Sequence, residues 1–400
     1  MKDVKTWNQS VVKKGNKTIV LETIIESFPI SRAKIANRTG LNKGTVSSLV
    51  QELLDEKLID ESGPGESSGG RRPVMLLFNE VAGYSIGIDI GVNYLLGVLT
   101  DLQGNICNEH LVKFSNLSYE EIKSKLFDTI DLLTSSAPSS PYGIIGIGIG
   151  VPGIVSNDGK IVLAPNLGWV NIDLQSTLQK KYDVPIIIDN EANAGAYGEK
   201  RFGVGKEFSD IIYVSIGIGI GVGLILNGEL YKGNNGFSGE LGHMTIEVHG
   251  ENCRCGSKGC WELYASEQAL LNKAKQLEIT VPNNEETSLE YLLTLAEDGH
   301  KDAIQLFDKI GEYIGIGIKN IFNTFNPEQV IIGNRIAVAE KWIKEPIHKR
   351  LINQTLWPHQ ENLQLNFSEL STPSTALGIA AYSIENFLDS NLKSKSETIS

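Results

Sequence analysis

The chain has 400 residues, 41% of them hydrophobic and 21% charged, which is long enough for two or three domains with sizeable cores and excludes a mostly disordered protein. Its 36 Lys/Arg against 48 Asp/Glu give a net charge of −12, which argues against a generic nucleic-acid binder. The charge is unevenly placed, however: residues 1–50 hold nine Lys/Arg and three Asp/Glu, net +6, leaving −18 for the rest, so a basic head on an acidic body suggests a separate nucleic-acid-binding head.

In chain order, residues 17–61 read as compact and helical. Ile19, Val20, Thr23, Ile24 and Ser27 form a first stripe. Ser31 is a natural N-cap for a short helix over Arg32–Thr39, which Gly40 breaks. Asn42 caps a third helix from Lys43 to about Glu56, with Val46, Leu49, Val50, Leu53 and Leu54 on one face. Helix, short glycine-containing turn and helix make a helix-turn-helix. A Gly/Ser/Pro-rich loop over 61–73 ends in Arg71 and Arg72, and Val74–Phe78 reads as a strand, so the pair forms a wing.

From Tyr84 the texture becomes that of a mixed-sheet α/β domain. Strands are expected at 85–91, 94–100, 105–114, 144–151 and 185–189, with helices at 119–134 and 191–202. A second unit begins at Asp210: a strand over 211–216, a glycine-rich turn over Gly217–Gly223, a return strand over Leu224–Leu226 and a loop over 228–242. Helices then follow at 266–277, 288–298, 301–323 and 374–388, with a strand at 329–333. The strand-turn-strand unit occurs at 85–104 and again at 211–228, a weak internal duplication. The polar tail 389–400 is expected to fray. No apolar run reaches the ~18 residues a transmembrane helix needs, and residues 1–15 lack the apolar core of a secretory signal, so no membrane association and a cytoplasmic location are expected.

Three of the four cysteines crowd together. His243, Cys253, Cys255 and Cys260 are spaced ten, two and five apart, and three thiolates with one imidazole suit a closed, structural tetrahedral zinc site. In the head, Lys43, Thr45, Ser47 and Ser48 lie near the start of the third helix, where a recognition helix meets base edges. Ser31 and Arg32, opening the second helix, join them as DNA-contacting candidates. Lys13, Lys14 and Lys17 are candidates for phosphate neutralisation, and Arg71 and Arg72 for a minor groove. In the body, Asn166, Asn190, Glu191, Asn193, Glu240 and Glu262 stand near strand ends or beside the Cys cluster. Such groups suit a polyol, whose hydroxyls both donate and accept.

Residues from about 84 to 388 resemble the ROK family of sugar kinases and sugar-responsive repressors. The motifs that carry the likeness are Asp89-Ile-Gly91, Gly148-Ile-Gly-Val-Pro-Gly153, Pro165-Asn166, Asn190-Glu-Ala-Asn193, Glu240-Leu-Gly-His243, Cys253-Arg-Cys255, Gly259-Cys260-Trp-Glu262 and Phe325-Asn-Pro327. With the winged helix, the likeness spans nearly the whole chain. It implies an α/β fold: an N-terminal winged helix-turn-helix (1–80) followed by a two-lobed, actin-like or hexokinase-like ROK domain. Lobe one would cover 81–192, with the 374–388 helix returning to it. Lobe two and the zinc loop would cover 193–373, and 389–400 would be a flexible tail. The resemblance also implies a structural zinc at His243, Cys253, Cys255 and Cys260, and sugar contacts from Asn166, Asn190, Glu191, Glu240, His243 and Glu262.

Family kinases carry Asp-x-Gly-Gly-Thr in the first phosphate turn, where this chain has Val92 and Asn93 in the last two places. They carry Gly-Thr-Gly in the second turn, where Ile218 replaces the hydroxyl. Their base is an Asp, where Glu191 stands here, one methylene longer in a geometry that tolerates little change. Three departures in one reaction path imply a binder without transfer chemistry. The expected function is therefore a non-enzymatic repressor of sugar-utilisation genes that binds palindromic double-stranded operator DNA as a homodimer or dimer of dimers. The whole-chain likeness points to D-xylose as the releasing sugar. Glucose, N-acetylglucosamine and sugar phosphates remain open alternatives, as does an active kinase.

Overall fold

A computed structural model describes residues 9–64, 73–279, 288–354 and 364–393. The head is built from α1 (Gln9–Ser27), β1 (Ile30–Ser31), α2 (Arg32–Thr39), α3 (Lys43–Asp55), β2 (Ile59–Pro64) and β3 (Val74–Phe78). Local chemistry sets its boundaries. The Ser31 hydroxyl accepts from the Lys34 N–H, Gly40 ends α2 at φ 72°, and Asn42 Oδ1 accepts from the Thr45 N–H to start α3. The strand order is β1-β3-β2, and β2 pairs antiparallel with β3 to form the stem of the wing.

The body contains two five-stranded sheets of matching design. In the first, β4 (Tyr84–Ile90), β5 (Tyr94–Thr100) and β6 (Ile106–Lys113) run antiparallel and are followed by α4 (Tyr119–Ser136). Then β7 (Ile144–Val151) lies parallel to β4. A small sheet of β8 (Ile154–Val155), β9 (Ile161–Ala164) and β10 (Trp169–Ile172) and a short α5 (Leu174–Gln179) intervene before β11 (Ile186–Asn190), parallel to β7. The helix α6 (Glu191–Arg201) leads to the second sheet. There β12 (Ile211–Ile216), β13 (Ile220–Leu226) and β14 (Glu229–Leu230) are antiparallel. After α7 (Glu262–Ala265), α8 (Glu267–Gln276), α9 (Leu289–Glu297) and α10 (Lys301–Phe325), β15 (Gln329–Gly333) pairs parallel to β12. Following α11 (Glu340–Gln354), β16 (Leu365–Phe367) pairs parallel to β15, and α12 (Ser374–Lys393) ends the described chain. The orders β11-β7-β4-β5-β6 and β14-β13-β12-β15-β16 place the two antiparallel hairpins in the same position within each sheet. The duplication expected at 85–104 and 211–228 is thus a repeat of the whole sheet.

Several boundaries differ from those read in the sequence. The second bend spans only Gly217–Gly219, and β13 begins at Ile220 rather than Leu224. Gly221 and Gly223 lie inside this strand, because α6 crosses it so closely that an added Cβ at Gly223 would overlap the Ala192 carbonyl. Alternating glycine in a strand therefore marks a helix crossing, not a turn. Likewise α10 runs to Phe325, and α12 runs past 388 to Lys393, so the first part of the expected tail is helical. Residues 394–400, and Arg71 with Arg72, lie outside the described residues.

The expected lobe boundary at 192/193 falls inside α6, which packs on β12 and β13 of one sheet and on α12, β7 and β11 of the other. The two helices cross at glycine: an added Cβ at Gly378 of α12 would overlap the Ala194 carbonyl of α6. The lobes thus share a close-packed helical spine. The head is joined just as firmly. Its core of Val20, Ile24, Ile35, Leu49 and Leu53 is continuous with Leu102, Ile145 and Ile384 of lobe one and α12. The Tyr142 hydroxyl donates to the Glu56 carbonyl at 2.8 Å, and the Tyr142 ring meets Phe387 edge-on at 4.9 Å. Among the described residues, no helix is long and apolar enough to cross a membrane.

Candidate functional site

A cavity of about 390 Å³ lies between the two sheets, a size that suits a small ligand. Lobe one supplies Asp89 at the end of β4, Asn166 between β9 and β10, and Asn190 and Glu191 at the β11–α6 junction. Lobe two supplies Glu240 and His243, Arg254 and Cys255 from the Cys-rich loop, and Glu262 at the start of α7. All six expected sugar-contacting residues, Asn166, Asn190, Glu191, Glu240, His243 and Glu262, line it.

Their freedom differs. Asn190 caps α6: its Oδ1 accepts from the Ala192 and Asn193 N–H groups at 2.8 and 3.1 Å, and its Nδ2 donates to the Gly153 carbonyl at 2.8 Å. Both ends of that carboxamide are engaged, so Asn190 braces the cavity wall. Asn193, which also attracts notice in the sequence, is buried and donates to Asp189 at 3.3 Å rather than facing the cavity. Glu191, in contrast, has a buried Oε2 without a protein partner. Burial, and next the Asp89 carboxyl, push Glu191 up to about 8. Asp89 rises to about 7 through burial, opposed by a 2.6 Å hydrogen bond from the Tyr94 hydroxyl. Burial also raises Glu240, with His243 opposing the shift. Burial thus biases Asp89 and Glu191 toward the protonated form, in which a carboxyl can both donate and accept.

The residues at the departures from the kinase pattern, Val92, Asn93, Ile218 and Glu191, also border the cleft. At the first turn the Gly91 N–H donates to the Tyr94 carbonyl at 2.9 Å, and the Tyr94 ring lies where a Cβ on Gly91 would sit. An aromatic side chain thus covers the glycine of that turn. Tyr94 and Asp89 are site residues that sequence reasoning missed as a pair. Tyr94 has no signature of its own, because only the β4–β5 hairpin brings it back over Gly91.

Beside the cleft, the ligand atoms of His243, Cys253, Cys255 and Cys260 all lie within 4.8 Å of one another. Cys255 Sγ is 3.7 Å from Cys260 Sγ, and Cys253 Sγ is 3.6 Å from His243 Nδ1. A tetrahedron with Zn–S bonds of ~2.3 Å has edges of about 3.8 Å, so the donor set fits a four-coordinate divalent ion. Burial pushes the Cys253 thiol up to about 12, a penalty that a bound cation reverses because thiolate is the ligand form. His243 Nδ1 faces this cluster while its Nε2 lies 3.9 Å from Glu240 Oε2 toward the cleft. Nδ1 also lies 3.4 Å from Glu262 Oε1, so His243 stands at the boundary between the cysteine cluster and the cleft.

Among the described residues, polar contacts join the lobes around the cleft. Lys232 pairs with Asp189, Asn157 Nδ2 donates to the Asn234 carbonyl at 3.1 Å, and Arg254 Nη1 donates to Asn166 Oδ1 at 3.2 Å.

In the head, Lys43, Ser47 and Ser48 are exposed at the start of α3 and Thr45 is half-buried, one group on one element. Ser31 is 94% buried as a helix cap, and Arg32 pairs with Glu61 at 2.7 Å, so each already has a partner within the head. Lys17 is buried against Glu56 at 2.6 Å rather than free for phosphate, and Lys13 pairs with Glu52 at 2.7 Å.

Winged head, twin sheets, shared helical spine and a Cys-rich loop beside the cleft define a class of two-lobed sugar-binding proteins with an added helix-turn-helix. The ROK family model matches residues 85–385, and the chain belongs to the ROK family. It is 47% identical over 382 residues to the xylose repressor of Bacillus subtilis (strain 168), covering 96% of this chain and 98% of that one. Among solved structures, a ROK family transcriptional regulator, a homolog of the E. coli MLC protein, is 27% identical with a TM-score of 0.79, covering 96% of this chain and 98% of that one. A ROK family glucokinase from Streptomyces griseus, solved with glucose and AMPPNP, is 26% identical with a TM-score of 0.69. It covers 75% of this chain and 99% of its own. The two regulators thus match nearly the full chain, while the kinase leaves a quarter unmatched.

Proposed function

We propose that this protein is a cytoplasmic transcriptional repressor that binds palindromic operator DNA through its head, as a homodimer or dimer of dimers, and is released by D-xylose. The observation that carries this reading is the near-complete, 47% likeness to a xylose repressor across both head and body, combined with a carboxyl-lined cleft between two lobes. Lys43, Thr45, Ser47 and Ser48 approach base edges, and Arg71 and Arg72 extend the footprint from the wing. Asn166, Glu191, Glu240, His243 and Glu262 hold the sugar, with Asn190 bracing the wall. Closure on the sugar swings lobe two against lobe one and α12, and the head, whose core is continuous with lobe one and α12, is carried with them as one body, so the setting of two heads in a dimer changes.

The metal is zinc at His243, Cys253, Cys255 and Cys260. These four residues would hold it as a closed structural site and so tie the loop between Glu240 and Glu262 together. The protein is not a kinase. Phosphoryl transfer depends on positioning and charge stabilisation, and the turns carry Val92-Asn93 and Ile218 in place of the hydroxyls, with Glu191 in place of the base.

The test is operator binding by the full-length protein with and without xylose, for wild type and Glu191→Ala. Wild type is expected to bind and be released, while Glu191→Ala binds DNA but needs a higher sugar concentration, by roughly 1–3 kcal/mol for the missing acceptor. Release of Glu191→Ala at the wild-type concentration removes Glu191 from the site. ATP-dependent phosphorylation of a sugar by the wild type overturns the non-enzymatic reading.

A further inference from the structure

Arg254 lies between two of the clustered cysteines on the lobe-two loop, yet its guanidinium crosses the cleft to lobe one, where Nη1 donates to Asn166 Oδ1 at 3.2 Å. Arginine has donors only, so this contact dictates which end of the Asn166 carboxamide faces which way. The oxygen is held by Arg254, and Nδ2 points toward the cleft. A Cβ on Gly219 would sit 3.5 Å from Asn166 Nδ2 and 2.9 Å from Glu262 Oε2. The missing side chain therefore leaves Nδ2, a donor from lobe one, and Oε2, a carboxylate acceptor from lobe two, both beside Gly219 on the cleft wall. A ligand group that reaches both must accept from one lobe and donate to the other. A neutral sugar hydroxyl does both. A phosphate or carboxylate oxygen accepts from Asn166 but has no proton for Glu262.

Building on the sugar-responsive reading above, we propose that Arg254 is a positioning residue that presets Asn166 as a donor. A single ligand hydroxyl beside Gly219 then bridges Asn166 and Glu262, selecting neutral sugars over anionic ones at that point. The same geometry ties the Cys-rich loop to occupancy of the cleft, because the loop that holds Cys253 and Cys255 also holds the residue that orients a lobe-one ligand contact.

The experiment is calorimetric titration of the full-length protein with xylose, alongside metal content and melting temperature. It uses wild type, Arg254→Met (stem kept, donors removed), Arg254→Lys (a donor-only side chain), Asn166→Ala and the Arg254→Met/Asn166→Ala double variant. We expect Arg254→Met to weaken xylose binding roughly tenfold with metal content and melting temperature unchanged, and Arg254→Lys to recover to within about threefold of wild type. Asn166→Ala should weaken binding, and adding Arg254→Met should weaken it no further, since Arg254 acts through Asn166. Wild-type affinity in Arg254→Met overturns the inference, as do additive losses in the double variant or a loss accompanied by release of metal. In those cases a weakened Asn166→Ala leaves the sugar-responsive reading standing. A wild type that binds no aldose overturns that reading itself.

Discussion

Glu191 and Asp89 are neighbouring carboxyls at the end of the first sheet, each with one buried oxygen that no protein group partners. Their raised values make a stability statement with a definite sign. For an acid whose folded value lies above its unfolded one, the native state binds more protons between the two, so stability is full below the unfolded value and is lost as pH rises through the folded one. With Glu191 moving from 4.5 to about 8 and Asp89 from 3.8 to about 7, the sugar-free protein is expected to lose stability steadily between about pH 4 and pH 8. Glu191→Gln keeps the shape of the protonated acid. The variant is expected to match wild type in thermal melts at pH 4.5 and to melt higher at pH 8.5. Parallel wild-type and variant curves across that range would show that Glu191 is not the titrating group.

At the scale of single elements, two pieces carry separable roles. The start of α3 presents Lys43, Ser47 and Ser48 to solvent, on a helix whose other face, Val46, Leu49, Val50 and Leu53, is fully buried. Lys43→Ala and Thr45→Ala are therefore expected to leave the fold intact and to weaken specific operator binding by roughly 1–3 kcal/mol for each hydrogen bond to a base that is removed. An equal weakening at random DNA and at the operator would assign them to phosphate instead. The Cys-rich loop is the second piece. Cys255 is the most exposed of the three clustered thiols, so Cys255→Ser perturbs packing least while removing a ligand. The variant is expected to carry less zinc by elemental analysis and to respond poorly to sugar, because Glu240 and Glu262 lose their common anchor. Stoichiometric zinc in Cys255→Ser would remove Cys255 from the ligand set.

For the whole molecule, closure of the lobes is the quantity to perturb. The Lys232–Asp189 pair spans them, with the Asp189 side chain 4% exposed and that of Lys232 36% exposed. Lys232→Met removes this cation and leaves the buried Asp189 carboxylate with the Asn190 N–H and Asn193 Nδ2 as donors. The expected cost is roughly 1–3 kcal/mol, below the fully buried case because Lys232 is partly solvated. If the pair favours the closed form, the variant binds xylose more weakly by calorimetry while its sugar-free operator affinity stays at the wild-type value. A lowered operator affinity instead would show that the closed form is the one that grips DNA.

The sequence alone determined what depends on short-range chemistry. Ser31, Gly40 and Asn42 bound the helices of the head because caps act within three residues, and the spacing of His243, Cys253, Cys255 and Cys260 brings four ligands together because the loop that joins them is short. The repeated strand-turn-strand units were legible because a buried strand is a continuous apolar run. What needed the tertiary structure were contacts between residues far apart in the chain. Gly221 and Gly223 read as a turn until α6 is seen crossing them. Lys17 reads as a free cation until Glu56, 39 residues on, is found beside it. Asn190 reads as a loop side chain near a strand end until its hydrogen bonds to Gly153 and to the start of α6 are seen to fix it in the cleft wall. Arg254 is merely the residue between two cysteines until the fold carries Asn166, 88 residues earlier, to its guanidinium. Hydrogen bonds and ion pairs form at about 3 Å whatever the sequence separation, so only the packed chain decides which polar groups remain free for a ligand.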